Sequence, residues 1–305
     1  MIRKQPRCSA RKAGFPLLFT ALLGFWTASA AVASPCQDAR GVAAASVADL
    51  TALSGYYVGG DQCFYDPNGI EAMDVPPAVG ASGLRAERLV FVNGANAKAD
   101  REPYFLTLLA QARDTPAIGV LNTQTSDDPF STPTLRGTSA VKTLESLMLA
   151  SLEARRDVII RAGSAGALPV AIAVARAKGR WAARHHGPRK PDEALSQLRI
   201  ETFGGVGAFY PDGPRYVHYA NLLDPNAQKF GVLNPLTKPG HHAVIAIFRD
   251  SLPPLEADYE SLTPENERIL SHHGFGVYNA HQAPFARIYR LSLPVLPYTV
   301  VPLVR

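Results

Sequence analysis

From residue 88 onward the chain alternates short, uniformly apolar runs with longer segments in which apolar residues recur every three or four positions. Uniform runs of about four to eight residues suit strands buried on both faces, and the recurring pattern suits amphipathic helices. Residues 89–92, 118–121, 158–161, 198–203, 216–221 and 243–248 are the predicted strands. Helical spacing appears over residues 104–113 and 139–156, where Val141, Leu144, Met148 and Leu152 line one face and Thr138 or Ser139 can cap the start. Residues 168–177 are so evenly apolar that their helix is expected to be buried on most sides. Strands alternating with helices in this way imply right-handed crossovers and an α/β fold: a mostly parallel sheet with helices on both faces. Chemistry in such sheets gathers at the carboxyl ends of the strands. Three loops there are chemically loaded: Asn93-Gly94-Ala95-Asn96, the turn after residue 161, and Asn221-Leu222-Leu223-Asp224-Pro225.

The turn after residue 161 lies in Val-Ile-Ile-Arg-Ala-Gly-Ser-Ala-Gly, residues 158–166. A β-branched strand runs into small residues on both sides of Ser164, and an apolar helix follows at once. This is the setting of a nucleophile elbow, where a serine takes a strained, exposed conformation and its neighbours at −2 and +2, here Ala162 and Gly166, must be small. The same letters come within one residue of the Gly-x-Gly-x-x-Gly of dinucleotide-binding units. That alternative needs glycine where the chain has Arg161, and an acid roughly 20 positions on, where residues 180–190 supply only bases. A glycine-rich strand-to-helix turn without chemistry is the third possibility.

The first 33 residues read as a secretory signal peptide: Arg3, Lys4, Arg7, Arg11 and Lys12, then an apolar stretch from about residue 13 to 26, then Ala31-Val32-Ala33. These five cations account for the whole formal net charge of +5, so the remainder is near neutral and gives no sign of nucleic-acid binding. No other apolar run approaches the 18 or so residues that span a bilayer, so a soluble, exported chain, periplasmic or extracellular, is expected. Cys8 leaves with the signal, and Cys36 and Cys63 remain as an even pair in an oxidising compartment, where a disulfide is expected. Residues 34–85 read as an N-terminal extension, with a Pro- and Gly-rich connector at 66–82, leading into a domain over 86–305. No Cys-His or paired-carboxylate cluster has metal-ligand spacing, and no cofactor is expected.

With these elements the chain resembles the α/β-hydrolases, and within them the class 3 lipase branch, over roughly residues 86–285. The resemblance rests on Ala162-Gly163-Ser164-Ala165-Gly166, on Glu201-Thr202-Phe203-Gly204-Gly205-Val206-Gly207, on Val217-His218-Tyr219-Ala220-Asn221 leading to Asp224-Pro225, and on a late His273 with Tyr278 five residues on. The order Ser, Asp, His is the order this fold requires. The chain departs from the pattern at Gly163, where such lipases usually carry His, after Asp224, where Pro-Asn-Ala replaces a Val-Pro pair, and in having no segment that reads as a lid.

The resemblance implies an exported serine hydrolase that cleaves a carboxylic ester, lipid esters included, through an acyl-enzyme. Ser164 would be the nucleophile, His273 the general base and Asp224 the acid that orients it, with Asp250 a second candidate. The backbone N–H of Ala165 and that of Gly94 or Ala95 would form the oxyanion hole, although Asn-Gly is also an ordinary turn former. Asp224-Pro225 is likewise a common helix-capping turn. His273 is expected in a loop, with Gly274 and Gly276 supplying backbone freedom, and His272 and His281 compete with it. His185 and His186 read as surface residues, His218 as a satisfied core residue, and His241 and His242 as lying at the wrong end of a strand. Two further readings stay open: a catalytically silent scaffold of the same fold acting as a secreted binding module, and the dinucleotide-binding protein.

Overall fold

Alternation along the buried strands sends side chains to two faces, and each face has its own helices. The computed structural model describes residues 36, 41–43, 50–80, 88–95, 101–123, 138–186, 190–207, 209–253, 264–293 and 296–303. Residues 1–33, read as a signal peptide, the polar loop at 124–136 and Asn96 lie outside the described residues. In chain order the strands are β1 (Gly41–Ala43), β2 (Tyr57–Val58), β3 (Cys63–Tyr65), β4 (Leu89–Val92), β5 (Ala117–Val120), β6 (Val158–Gly163), β7 (Leu198–Phe203), β8 (Arg215–Asn221), β9 (Ala243–Phe248) and β10 (Tyr298–Pro302). The helices are α1 (Glu102–Arg113), α2 (Ser139–Glu153), α3 (Ala167–Arg184), α4 (Pro191–Leu195), α5 (Pro225–Phe230), α6 (Pro264–His273), α7 (Phe275–His281) and α8 (Phe285–Tyr289).

All ten strands form one mixed sheet in the order β1-β3-β2-β5-β4-β6-β7-β8-β9-β10. From β5 to β10 every pairing is parallel. β1, β2 and β3 add an antiparallel edge, with Tyr57 opposite Val120 and Val58 opposite Gly119. The segment read as an extension is thus part of the sheet itself. Gly119 permits this contact, because a Cβ there would lie 2.9 Å from the Cβ of Val58. Cys36 and Cys63 are bonded, their Cα atoms 5.5 Å apart, and the bond ties the segment before β1 to the first residue of β3. The sheet also gains β10, a strand the apolar pattern does not announce because its side chains are largely exposed.

One face carries Val90, Val92, Ile118, Val120, Ile160, Ala162 and Ile200 against α2 and α3. Alanines at 171, 173 and 177 on α3 are buried in this core and keep the helix slim. Thr138 caps α2, its hydroxyl accepting from the Val141 N–H. The other face carries Leu89 and Phe91 under α1, and Val217, Tyr219, Val244 and Ala246 under α7 and α8. This second face also holds a charge network centred on two fully buried side chains, Arg161 and Glu201. Arg161 on β6 and Glu201, its register partner on β7, are joined by bonds of 2.7 and 2.9 Å. Arg113 at the end of α1 reaches Glu201 at 2.6 Å, and both arginines donate to Gln282, just beyond α7. The network therefore links two central strands to the seats of α1 and α7. Among the described residues no helix is long and apolar enough to cross a membrane.

Candidate active site

The site is built at the carboxyl edge of the parallel strands. β6 ends at Gly163, and Ser164 turns the chain with φ 47° into a short 3-10 turn that leads directly to α3. A left-handed backbone at a residue with a Cβ costs about 1 to 3 kcal/mol, which the close packing of the turn sustains. A Cβ at Gly166 would fall 2.3 Å from the Asn93 carbonyl oxygen, so only glycine fits between the turn and the loop after β4. That loop is fixed by Asn93, whose Oδ1 accepts from Asn122 N–H at 2.7 Å and whose amide donates to the carbonyls of Gly94 and Asn122. The Val206 N–H donates to the Ser164 carbonyl at 3.0 Å and holds the turn from the β7 side.

Asp224 follows β8 and is completely buried. It caps α5 through Oδ1, which accepts from the Asn226 N–H at 2.8 Å. Its Oδ2 accepts from the Tyr278 hydroxyl at 2.7 Å and from His273 Nδ1 at 2.7 Å. Capping and histidine orientation, alternatives in the sequence, are both present on separate oxygens. On the other side of the ring, His273 Nε2 lies 2.7 Å from Ser164 Oγ. Because the Asp224 carboxylate can only accept, Nδ1 carries the imidazole proton and Nε2 is left to accept from the serine hydroxyl. Gly204, with φ 56°, leaves room for this pair, since a Cβ there would lie 3.0 Å from Asp224 Oδ2 and from the Tyr278 ring. Burial, and next the charge of Asp224, raise the Tyr278 phenol well above its ordinary pKa, so it remains a donor.

His273 does not lie in a loop. It is the last residue of α6, separated from α7 by Gly274 alone, and Gly276 is inside α7. Gly274 has φ −66° and ψ 161°, which any residue can adopt; it is glycine because a Cβ would meet the Leu270 carbonyl at 2.6 Å. Tight reversal between two helices, rather than backbone freedom, aims the ring. His272 points elsewhere and contributes only its carbonyl, which accepts from Asn221 Nδ2 at 2.9 Å. His281 pairs with Asp250 at 2.8 Å and stacks on Phe248, so both of these competitors engage each other. His218 is buried between the Thr202 hydroxyl and the Pro239 carbonyl, and His185 and His186 are exposed. His241 and His242 precede β9, at the amino edge.

Of the residues considered for the oxyanion hole, Ala165 is buried in the turn after Ser164 and Gly94 packs on Ser164, a Cβ there falling 3.1 Å from that of the serine. Ala95 is the next residue of the same loop, half-buried. At position 161 the chain is still strand, where a dinucleotide turn would already have begun, and the Arg161 side chain is committed to Glu201. Among the described residues no group of three or more His, Cys, Asp or Glu side chains could hold a metal ion. Two supports of the site escape sequence reasoning: Asn221, whose side-chain oxygen accepts from the Leu223 and Asp250 N–H groups, and the hydroxyl contact of Tyr278. Compared with known proteins, the sequence matches no family model and no curated relative.

Proposed function

We propose that the chain is an exported serine hydrolase of the α/β-hydrolase type, similar to class 3 lipases, that cleaves carboxylic esters through an acyl-enzyme. The observation that carries this reading is the continuous line Ser164 Oγ to His273 Nε2, then His273 Nδ1 to the buried Asp224, with both contacts at 2.7 Å. Three side chains, from the turn after β6, the loop after β8 and the end of α6, meet in the chain order that this fold demands. In the reaction, Ser164 Oγ forms a bond to the ester carbonyl carbon while its proton passes to His273 Nε2. The resulting oxyanion is received by the N–H of Ala165 and by one from the Gly94-Ala95 loop. Collapse breaks the ester C–O bond, and the Nε2 proton leaves with the alcohol. Water then attacks the acyl-enzyme by the same route in reverse, releasing the acid. Asp224 keeps its charge throughout and stabilises the imidazolium.

Export is supported by the leader-like first 33 residues, and the Cys36–Cys63 bond fits an oxidising compartment. A fluorophosphonate should label the protein on Ser164, located by peptide mapping. Ser164→Ala should abolish labelling and lower ester hydrolysis by on the order of 10⁴-fold while leaving the fold intact. Equal activity in that variant would remove the reading.

A further inference from the structure

Residues 66–80, which join β3 to the parallel strands, are more than a connector. Between them, the end of α2 and the first residues of β4 and β6 lies a cavity of about 560 Å³, partly open to solvent. That is the size of a small-molecule site. Val90 and Ile118 form its floor, Leu147 and Ala150 of α2 a wall, and Ile70 of the connector its roof. The cavity is separate from the site at Ser164. β6 runs from Val158, which lines the cavity, to Gly163, which precedes the serine, a span of about 16 Å at 3.3 Å per residue. It therefore lies toward the amino edge of the sheet, away from the edge where such folds keep their chemistry.

Two polar groups that line it lack the partners their burial calls for. Tyr57 is only 4% exposed, yet among the described residues its hydroxyl makes no hydrogen bond. Tyr65, Tyr216, Tyr219 and Tyr278, buried to a similar degree, each donate to a nearby oxygen. Burial, and then the charge of Glu71, raise the Tyr57 phenol to about 12, so it stays a donor. Arg88 is the second group. Its Nη1 donates to the carbonyls of Ala72 and Val75 at 2.6 and 3.1 Å, which fastens the guanidinium under the connector. Among the described residues its Nε and Nη2 make no bond and no carboxylate is bonded to it. An arginine held in this way offers its remaining N–H groups as a preformed fork for a carboxylate. The two groups are neighbours through the connector, since Glu71 acts on the phenol and Arg88 is bonded to the next residue. Of the four charged side chains that line the cavity, Asp157 is bonded to Arg199, which leaves Arg88 and Arg156 against Glu71 alone. Apart from these, Tyr57 and two serines, the lining is apolar.

We infer that this cavity is a second binding site, separate from Ser164, for a bulky apolar monocarboxylate whose acid group is held by Arg88 and the Tyr57 hydroxyl. The inference stands independently of the hydrolase reading. Its test titrates pyrenebutyrate into the protein and follows the pyrene fluorescence, with pyrenebutanol as the neutral counterpart. One equivalent of the acid should bind, at least about tenfold more tightly than the alcohol. Tyr57→Phe removes only an unbonded hydroxyl, so the fold is retained, and affinity for the acid should fall about tenfold while that for the alcohol stays put. Glu71→Gln should strengthen binding of the acid, because it removes the one uncommitted negative charge. Ala150→Trp, at an exposed position of α2 that lines the cavity, should abolish binding of both probes. Ser164→Ala and fluorophosphonate-treated protein should bind as the untreated wild type does. No binding of the acid, equal affinity for acid and alcohol, or affinity unmoved in folded Tyr57→Phe and Ala150→Trp would overturn the inference. So would loss of binding on fluorophosphonate treatment, which would put the probe at Ser164 instead.

Discussion

Asp224 divides its two carboxylate oxygens between two tasks, so substitutions there and at its donors should separate. His273→Ala and Asp224→Ala should each lower ester hydrolysis by several orders of magnitude, and either combined with Ser164→Ala should add little, because the three act as a unit. His272→Ala should cost far less, since only its backbone carbonyl takes part. Tyr278→Phe removes one donor from Asp224 Oδ2 and leaves the helix cap on Oδ1 intact. Oδ2 then has one partner fewer to hold it against the His273 ring. The expected result is a loss of about tenfold in kcat with KM little changed. A Tyr278→Phe kcat equal to that of the wild type would assign the hydroxyl a packing role only.

At the scale of elements, the charge network under the site connects β6, β7, α1 and the end of α7. Glu201→Gln would leave Arg161 fully buried and Arg113 largely so without their carboxylate. A loss of about 3 to 5 kcal/mol is expected, read as a lower urea midpoint, because a buried charge stripped of its partner is not resolvated. How legible these elements are follows from what produces them. The strands at 89–92 and 243–248 can be read from uniform apolar runs because both of their faces are covered. β1 to β3 and β10 are short, edge-lying or exposed, so no periodicity betrays them. The turn at Ser164 was visible through residue size, since packing against Asn93 excludes a side chain at Gly166. The helix-end position of His273 was not: Gly274 reads as a loop signal, and only the Leu270 carbonyl reveals it as a steric requirement. Asn221 and the Tyr278 hydroxyl act across 57 and 54 residues of chain, and no local pattern encodes such contacts.

For the molecule as a whole, two features set stability. The His218 ring is completely buried, and burial lowers its pKa to about 4 from the ordinary 6.5. The unfolded chain therefore binds the extra proton first, so stability rises with pH between about 4 and 6.5 and is complete above that window, by up to about 3 kcal/mol. Thermal unfolding followed across these pH values should show this slope, and His218→Gln, which has no group titrating in this range, should flatten it. The Cys36–Cys63 bond closes a loop with a separation of 27 residues and should contribute about 3 kcal/mol. Thiol titration of the unfolded, unreduced protein should find neither cysteine free, and Cys36→Ala/Cys63→Ala should unfold at lower urea. The order of the three site residues along the chain also has a consequence in time. His273 is made 109 residues after Ser164, about 5 to 20 seconds later at ordinary rates of synthesis, and it is aimed only when α6 and α7 have docked. On the hydrolase reading the serine has no base until then, so a chain still emerging from the ribosome would carry a latent nucleophile. Activity would begin with the completion of folding itself, with no inhibitory segment needed to hold it back.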